Sequence, residues 1–567
     1  MTGDYPKKYF TLTNLQWISF HAVMVMNTIT LTDMSSTPPE LKFTTLEEID
    51  EVYYTLQKAF LSGKTKPIAF RKVQILQLAY LLKDNYDRFK EAFAIDLGRP
   101  PLEASFLELD STIADCKIAY DRVEKWARTE KAPFSINFFA FRPVIRKEPK
   151  GIVLSISPFN YPVWLALGPI IGAIAAGNCV VLKPSELSPA ISGLIAELIP
   201  KYMDSDVIRV VLGAIPETSK LLEYQWGHVL YTGNGRVARI IGVATAKTLS
   251  PTSLELGGKS PVVIDPRCDL KTAARRIMWG KCVNAGQTCI APDYVLIPRS
   301  AEDALVKALK DAHDEFYPSG AISTKDICHI INTAHFHRIK NLLDNTSGTV
   351  AFGGQTDESR KFIAPTVVRG VKDGDSLMSE ELFGPILPIM PVDNIDAAIA
   401  YINAHDHPLA LYCFSQDAAF KNKVFDNTQS GSAVANDVLV QCAVDGLPFG
   451  GIGPSGSGYH TRKFSFDLFT HLRASLDSPG LIDSILGGRF PPYTAKSEAF
   501  LKSSLGSKLP PRPRLSVAGG ANGYVLSKKS NTKWMLFLVG LAIVGVGYTR
   551  AADINEWARW LKGLIKG

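Results

Sequence analysis

Cys289 stands in the run Asn284-Ala285-Gly286-Gln287-Thr288-Cys289-Ile290-Ala291-Pro292, and Glu255 stands upstream in Leu254-Glu255-Leu256-Gly257-Gly258-Lys259. A thiol and a carboxylate offer a nucleophile and a base. Both lie in runs containing glycine, where backbone can approach a substrate closely. One cysteine among eight is ordinarily a small buried hydrophobe. The length of the strings around both residues argues for chemistry instead.

A second pattern competes for the same carboxylate. Gly233-Asn234-Gly235-Arg236-Val237-Ala238 follows the apolar run His228-Val229-Leu230-Tyr231. It satisfies GxGxxA, and Glu255 follows at the distance where a dinucleotide fold places the acid that holds the adenine ribose. Glu255 cannot both hold a ribose and act as a base. A lone GxGxxA is a weak signal, so the neighbouring motifs decide.

The elements that position these residues read as alternating strands and helices. The chain has 567 residues, 46% hydrophobic and 21% charged, which suits an enzyme of two or more domains. Its cysteines show no CxxC and no His-Cys cluster, which argues against a disulfide framework or a zinc site. A net charge of +7 is too mild for a nucleic-acid protein of this size. From Leu46 to about Arg128, apolar residues recur at helical spacing. Phe138–Arg146 is aromatic and β-branched and predicts a hairpin. Gly151-Ile152-Val153-Leu154, Asn178-Cys179-Val180-Val181 and Ile208-Arg209-Val210-Val211 read as buried strands, with helical stretches between them. That alternation predicts a parallel sheet covered by helices. A second series begins at Pro261-Val262-Val263-Ile264.

Seven motifs then occur in a fixed order: Ser157-Pro158-Phe159-Asn160-Tyr161-Pro162, Leu182-Lys183-Pro184-Ser185-Glu186, Tyr231-Thr232-Gly233-Asn234, the Glu255 run, Gly286-Gln287-Thr288-Cys289, Glu380-Glu381-Leu382-Phe383-Gly384-Pro385 and Pro448-Phe449-Gly450-Gly451. Together they resemble the aldehyde dehydrogenase superfamily from about Leu46 to His471, and within it the class 3 branch and its membrane-anchored fatty aldehyde dehydrogenases. The resemblance implies an α/β fold with a Rossmann-like cofactor domain, an α/β catalytic domain, a small β oligomerisation hairpin and a C-terminal membrane helix. It implies Cys289 as nucleophile, Asn160 as donor to the oxyanion and Glu255 as the base that activates water. It implies Lys183 and Glu186 at the adenosine ribose, Gly233 and Asn234 at the cofactor turn, and Glu381 with Phe383 beside the nicotinamide ribose. A carboxylate at Glu186 opposes a 2′-phosphate, so NAD is expected, with NADP possible. No metal is expected, and a homodimer is. Ala238 and Gly235-Arg236 depart from the branch's usual turn, and Gly456-Ser457-Gly458-Tyr459-His460 is shorter than its usual counterpart.

The expected domains are an N-terminal extension at 1–45, the cofactor domain at 46–256 with its hairpin near 138–149, the catalytic domain at 257–436, and the rest of the enzyme core at 437–489. A basic, Pro-rich linker at 490–533 precedes a membrane anchor at 534–549 and an amphipathic tail at 550–567. Trp534 to Tyr548 carries no charge; as a helix it spans roughly 22 Å, below the ~30 Å hydrocarbon core, and needs flanking residues to cross. Ile554, Trp557, Ala558, Leu561 and Leu564 then recur at helical spacing with Arg559 and Lys562 between them, which suits a lipid interface. Basic residues before the anchor place the catalytic part on the cytosolic side of the endoplasmic reticulum, the mitochondrial outer membrane or a lipid droplet. A tethered site meets aliphatic aldehydes where they partition, so medium- and long-chain aldehydes are the expected substrates. Short or aromatic aldehydes on the same mechanism, or thioester transfer without redox change, are the alternatives.

Overall fold

A computed structural model describes residues 40–480, 482–506 and 509. The N-terminal extension as far as residue 39, most of the linker, the anchor at 534–549 and the tail at 550–567 lie outside the described residues. Among the described residues no helix is long and apolar enough to cross a membrane.

Four long α-helices open the described chain, Leu46–Leu61, Ile68–Asp84, Tyr86–Leu97 and Asp110–Trp126, the last entered through the short helix Pro101–Glu103 and the π-helix Ala104–Leu109. The first starts where Thr45 and Glu48 form a reciprocal capping box, which satisfies N–H groups that have no partner inside the helix. A six-stranded sheet follows. Its order is Gly456–Ser457, Thr252–Glu255, His228–Thr232, Ile152–Ile156, Cys179–Lys183 and Ile208–Val210. All neighbours pair in parallel except the edge strand Gly456–Ser457, which is antiparallel. The inner strands Ile152–Ile156, Cys179–Lys183 and His228–Thr232 are buried on both faces, so they read as continuous apolar runs rather than alternating ones.

The second sheet has seven strands in the order Thr349–Phe352, Thr366–Arg369, Ile386–Val392, Tyr294–Pro298, Pro261–Ile264, Ala410–Phe414 and Ser432–Ala435. Only its first pair is antiparallel. Its side chains divide with period two between two cores. Val262, Ile264, Tyr412 and Phe414 enter one, while Val263, Leu411 and Cys413 enter the other.

The predicted hairpin is displaced. Its strands are Glu130–Lys131 and Val144–Pro149, joined by Thr470–Ser475 in a three-stranded antiparallel sheet. Phe139–Phe141 is a 3-10 turn and Arg142 takes φ 47°, a left-handed conformation that a strand cannot contain. Phe134–Arg142 and the described residues from Asp477 onward form a separate compact unit. Within the expected linker, Ala495–Leu505 is a helix whose first turn is capped by Thr494. No proline falls between Tyr493 and Leu509, so nothing there breaks it.

The helix Trp164–Ala176 ends against Arg71, whose guanidinium donates to the carbonyls of Ala175, Thr65 and Lys66, the favourable place for a cation on a helix C-terminus. Along this helix a Cβ on Gly172 would stand 2.2 Å from Ser465 Cβ and 2.7 Å from the Ser465 backbone carbon. Gly172→Ala is therefore expected to destabilise by about 1–3 kcal/mol through overpacking. Gly168→Ala, whose nearest neighbour would be Trp164 at 4.0 Å, is expected to be neutral or up to ~1 kcal/mol stabilising. Thermal unfolding of the two variants checks this; equal melting temperatures would contradict the packing of this helix on the segment around Ser465.

Candidate active site

The carboxyl ends of the six-stranded sheet gather most of the residues singled out from sequence. Asn160 follows Ile152–Ile156, Lys183 ends Cys179–Lys183, Gly233 and Asn234 follow His228–Thr232, and Glu255 ends Thr252–Glu255. The strand order turns back between Ile152–Ile156 and His228–Thr232, and the crevice at such a switch point is where open α/β sheets bind ligands.

Cys289 comes from the other sheet's side of the crevice, on the segment between helix Leu270–Cys282 and strand Tyr294–Pro298. Its Sγ donates to Glu255 Oε1 at 3.6 Å. Glu255 is 2% exposed, so the competing assignment of this carboxylate to an adenine ribose fails: it faces sulfur. Burial pushes the Cys289 thiol well above its usual range, and the charges of Glu255 and Glu381 add to that effect. The sulfur therefore holds its proton until a base takes it, and Glu255 is in contact to do so. Glu255 Oε2 is buried with no hydrogen-bond donor among the described residues. His460 Nε2 lies 3.6 Å from it, equally buried and equally without a partner. His460 comes from the shortened run after the edge strand, and nothing in its sequence announced that position.

The approach to Cys289 is strained. Asn284, Ala285 and Gly286 all take left-handed conformations, with φ of 53°, 51° and 71°. Two of the three are not glycine, which costs energy that surrounding contacts must offset. Gly286 has no alternative: a Cβ there would meet the Gly384 carbonyl oxygen at 2.3 Å. Asn160 is buried, and its Nδ2 donates to the Gln287 carbonyl at 2.9 Å. An amide nitrogen carries two protons, so one remains for a substrate oxygen. Tyr161 and Thr288 hydroxyls pair at 2.9 Å. These bonds tie the Asn160 turn to the Cys289 loop.

The remaining predicted residues fit a dinucleotide. Lys183 Nζ donates to Glu186 Oε2 at 2.6 Å. Asn234 caps helix Gly235–Thr248 by accepting from Val237 N at 3.0 Å, so that helix directs its N-terminus at the crevice, where phosphate is favoured. Arg236 is exposed. Glu381 packs on Gly257, where a Cβ would meet its carboxylate at 2.3 Å. Burial and the neighbouring Asp293 carboxylate push Glu381 up to about 8. Its Oε1 is buried and has no donor among the described residues, which fits an acceptor for ribose hydroxyls. Phe383, at φ 50°, lies beside it with its ring 6.0 Å from Phe159. All eight cysteines are free thiols, and among the described residues no cluster could hold a metal ion.

Comparison with known proteins follows the same outline. The aldehyde dehydrogenase family pattern matches residues 36–474. The chain belongs to the aldehyde dehydrogenase family. Aldehyde dehydrogenase family 3 member B1 of Rattus norvegicus is 42% identical over 453 residues, covering 80% of this chain and 96% of that protein. The dimeric NADP-preferring aldehyde dehydrogenase of Canis lupus familiaris is 41% identical, covering 80% and 99%. These relatives place the chain in the class 3 branch. Among solved structures, the substrate-bound state of Staphylococcus aureus AldH aligns with a TM-score of 0.78 at 38% identity, covering 81% of this chain and 99% of that one. A Mycobacterium tuberculosis aldehyde dehydrogenase complexed with NAD+ aligns with a TM-score of 0.69 at 26% identity, covering 77% and 91%. This aldehyde dehydrogenase is thus an oxidoreductase of a family that uses NAD or NADP.

Removing the charge of Glu255 should ease ionisation of its neighbour. In Glu255→Gln the midpoint for alkylation of Cys289 by iodoacetamide should move to lower pH. Below the wild-type midpoint the alkylation rate should rise, because only the thiolate reacts. An unchanged midpoint would show that the carboxylate does not act on the sulfur, and a higher one that it favours the thiolate, against this account.

Proposed function

We propose that this aldehyde dehydrogenase oxidises medium- and long-chain aliphatic aldehydes to carboxylic acids, with Cys289 as nucleophile, Glu255 as base and Asn160 as oxyanion donor. The contact of Cys289 Sγ with Glu255 Oε1 carries the reading.

Glu255 takes the thiol proton as sulfur attacks the aldehyde carbon, forming a carbon–sulfur bond. The carbonyl electron pair moves onto oxygen. Asn160 Nδ2 and the Cys289 backbone N–H meet that oxyanion, and one such donor is worth on the order of 3 kcal/mol. The chemistry that nicotinamide supplies when bound is acceptance of the hydride, after which the cysteine stands as a thioester. Glu255, having released its first proton, takes one from water. The water oxygen attacks the thioester carbon, the carbon–sulfur bond breaks, and the acid leaves with Cys289 reprotonated. Glu255 Oε2, buried and free of protein donors among the described residues, is the oxygen suited to that water.

Lys183 and Glu186 would hold the adenosine ribose, with Gly233 and Asn234 at the phosphates and Glu381 with Phe383 at the nicotinamide ribose. The Glu186 carboxylate favours NAD by repelling a 2′-phosphate. Its pairing with Lys183 softens that repulsion, which leaves NADP usable. The chain-length preference rests on sequence: the uncharged run Trp534–Tyr548 suits a membrane anchor with the catalytic part on the cytosolic side, and each CH₂ moved out of water contributes about 0.8 kcal/mol to partitioning there. A homodimer fits the class 3 relatives, one of which is named as dimeric.

An assay of NADH release with aldehydes of graded length tests the reading. Hexadecanal should give the higher kcat/KM than propanal, and Cys289→Ser should abolish the signal with both. Preference for propanal would remove the lipid assignment, and no NADH with any aldehyde would leave only thioester transfer without redox change.

A further inference from the structure

Behind the site lies a buried ion pair that the reaction does not touch. Arg99 and Glu108 side chains are both 0% exposed, and Arg99 Nη1 donates to Glu108 Oε1. Two uncompensated charges could not sit there; apart from Arg99 Nε, which is buried without a partner among the described residues, their polar atoms are paired, and the groups that pair with them are informative. Glu108 Oε2 accepts from the backbone N–H of Val163 at 2.8 Å and of Trp164 at 2.9 Å. Those are the free donors at the start of helix Trp164–Ala176, which follows the Asn160 turn directly. Arg99 Nη2 donates to the Asn160 carbonyl at 2.5 Å and to Asn284 Oδ1 at 2.6 Å. Asn284 Nδ2 in turn donates to the Asn160 carbonyl at 2.9 Å and to the Gln287 carbonyl at 3.0 Å. The guanidinium carbon lies 5.0 Å from the Phe93 ring centre and 5.1 Å from that of Tyr161, which fixes its plane.

One guanidinium therefore joins two segments that are distant in sequence: the turn that carries the Asn160 amide and the left-handed run that leads to the Cys289 N–H. These are the two donors assigned above to the oxyanion. Glu103 adds a second hold on the strained run, accepting from Asn284 N at 3.0 Å. We infer that the Arg99–Glu108 pair is the positioning unit of the oxyanion site, setting the distance between its two donors by holding the Asn160 carbonyl and the Asn284 side chain on one planar fork. This rests on the reading of Asn160 and Cys289 given above. Arg99 meets neither sulfur nor substrate; it acts through Asn160 and Asn284. A shift of about 1 Å in such a site costs on the order of 10²-fold in rate.

The test pairs Arg99→Met with Glu108→Gln, so that no charge is left buried alone and the new amide oxygen can still accept from the helix start. Kinetics with hexadecanal should show kcat/KM lower by about 10- to 100-fold, carried by kcat, with KM for NAD within about twofold of the parent. Alkylation of Cys289 by iodoacetamide forms no oxyanion, and its rate should also stay within about twofold. Arg99→Lys keeps the charge but loses the planar fork, and should keep most of the kcat defect. On an Asn160→Ala background the double substitution should cost little more, since residues acting as one unit are not additive. Asn284→Gly suits the left-handed backbone, leaves the ion pair intact and cuts only the bridge; it should show the same split, and it decides the matter if the double variant does not fold. Unchanged kcat, a parallel fall in alkylation, or a full further loss on the Asn160→Ala background would overturn the inference. A parent enzyme without NADH release from any aldehyde would instead remove the reading on which it rests.

Discussion

The sulfur–carboxylate contact between Cys289 and Glu255 is made across two sheets. Glu255 closes a strand of the six-stranded sheet, and Cys289 rides on a loop from the seven-stranded one. Neither sheet alone contains a nucleophile with its base. The half-buried thiol is held in its protonated form by desolvation and by nearby carboxylates, so a base in contact is what the chemistry calls for near neutral pH. The fold meets that requirement by bringing the ends of the two sheets together over one crevice.

Such a junction is costly to hold. The loop enters it through three successive left-handed residues, and its partner is a turn that runs into a helix whose first N–H groups have no partner inside the helix. The offsetting contacts are polar and fully buried: Arg99, Glu108, Asn284 and Gln287. Gln287 alone donates to the carbonyls of Asn284 and His329 and accepts from Ile331 N. Fixed geometry of this kind, rather than a highly reactive resting sulfur, is what lets donors meet charge as it develops.

The parallel sheets were legible in the chain because their strands are buried on both faces, and Cys179–Lys183 and Pro261–Ile264 stand as continuous apolar runs. Asn160, Glu255 and Cys289 were legible through the family resemblance, which supplied their roles before any geometry. The hairpin was displaced because aromatic and β-branched composition marks a surface, not a backbone conformation, and Arg142 needs a left-handed turn that no pattern announces. Arg99 and Glu108 were invisible for a different reason. Alone, each reads as an ordinary surface charge, and only the fold reveals that they face each other in the interior. His460 was hidden in the same way, since its neighbour Glu255 lies far earlier in the chain.

The direct test of covalent chemistry at this junction is intact-mass and peptide mapping of the Glu255→Gln enzyme, quenched with acid after mixing with NAD and hexadecanal. Above its alkylation midpoint the sulfur of this variant ionises without a base, whereas the water still lacks one, so the thioester should accumulate and the added acyl mass should map to the peptide carrying Cys289. NADH formed in a burst with no acyl mass on that peptide, or with the mass on another cysteine, would contradict the assignment.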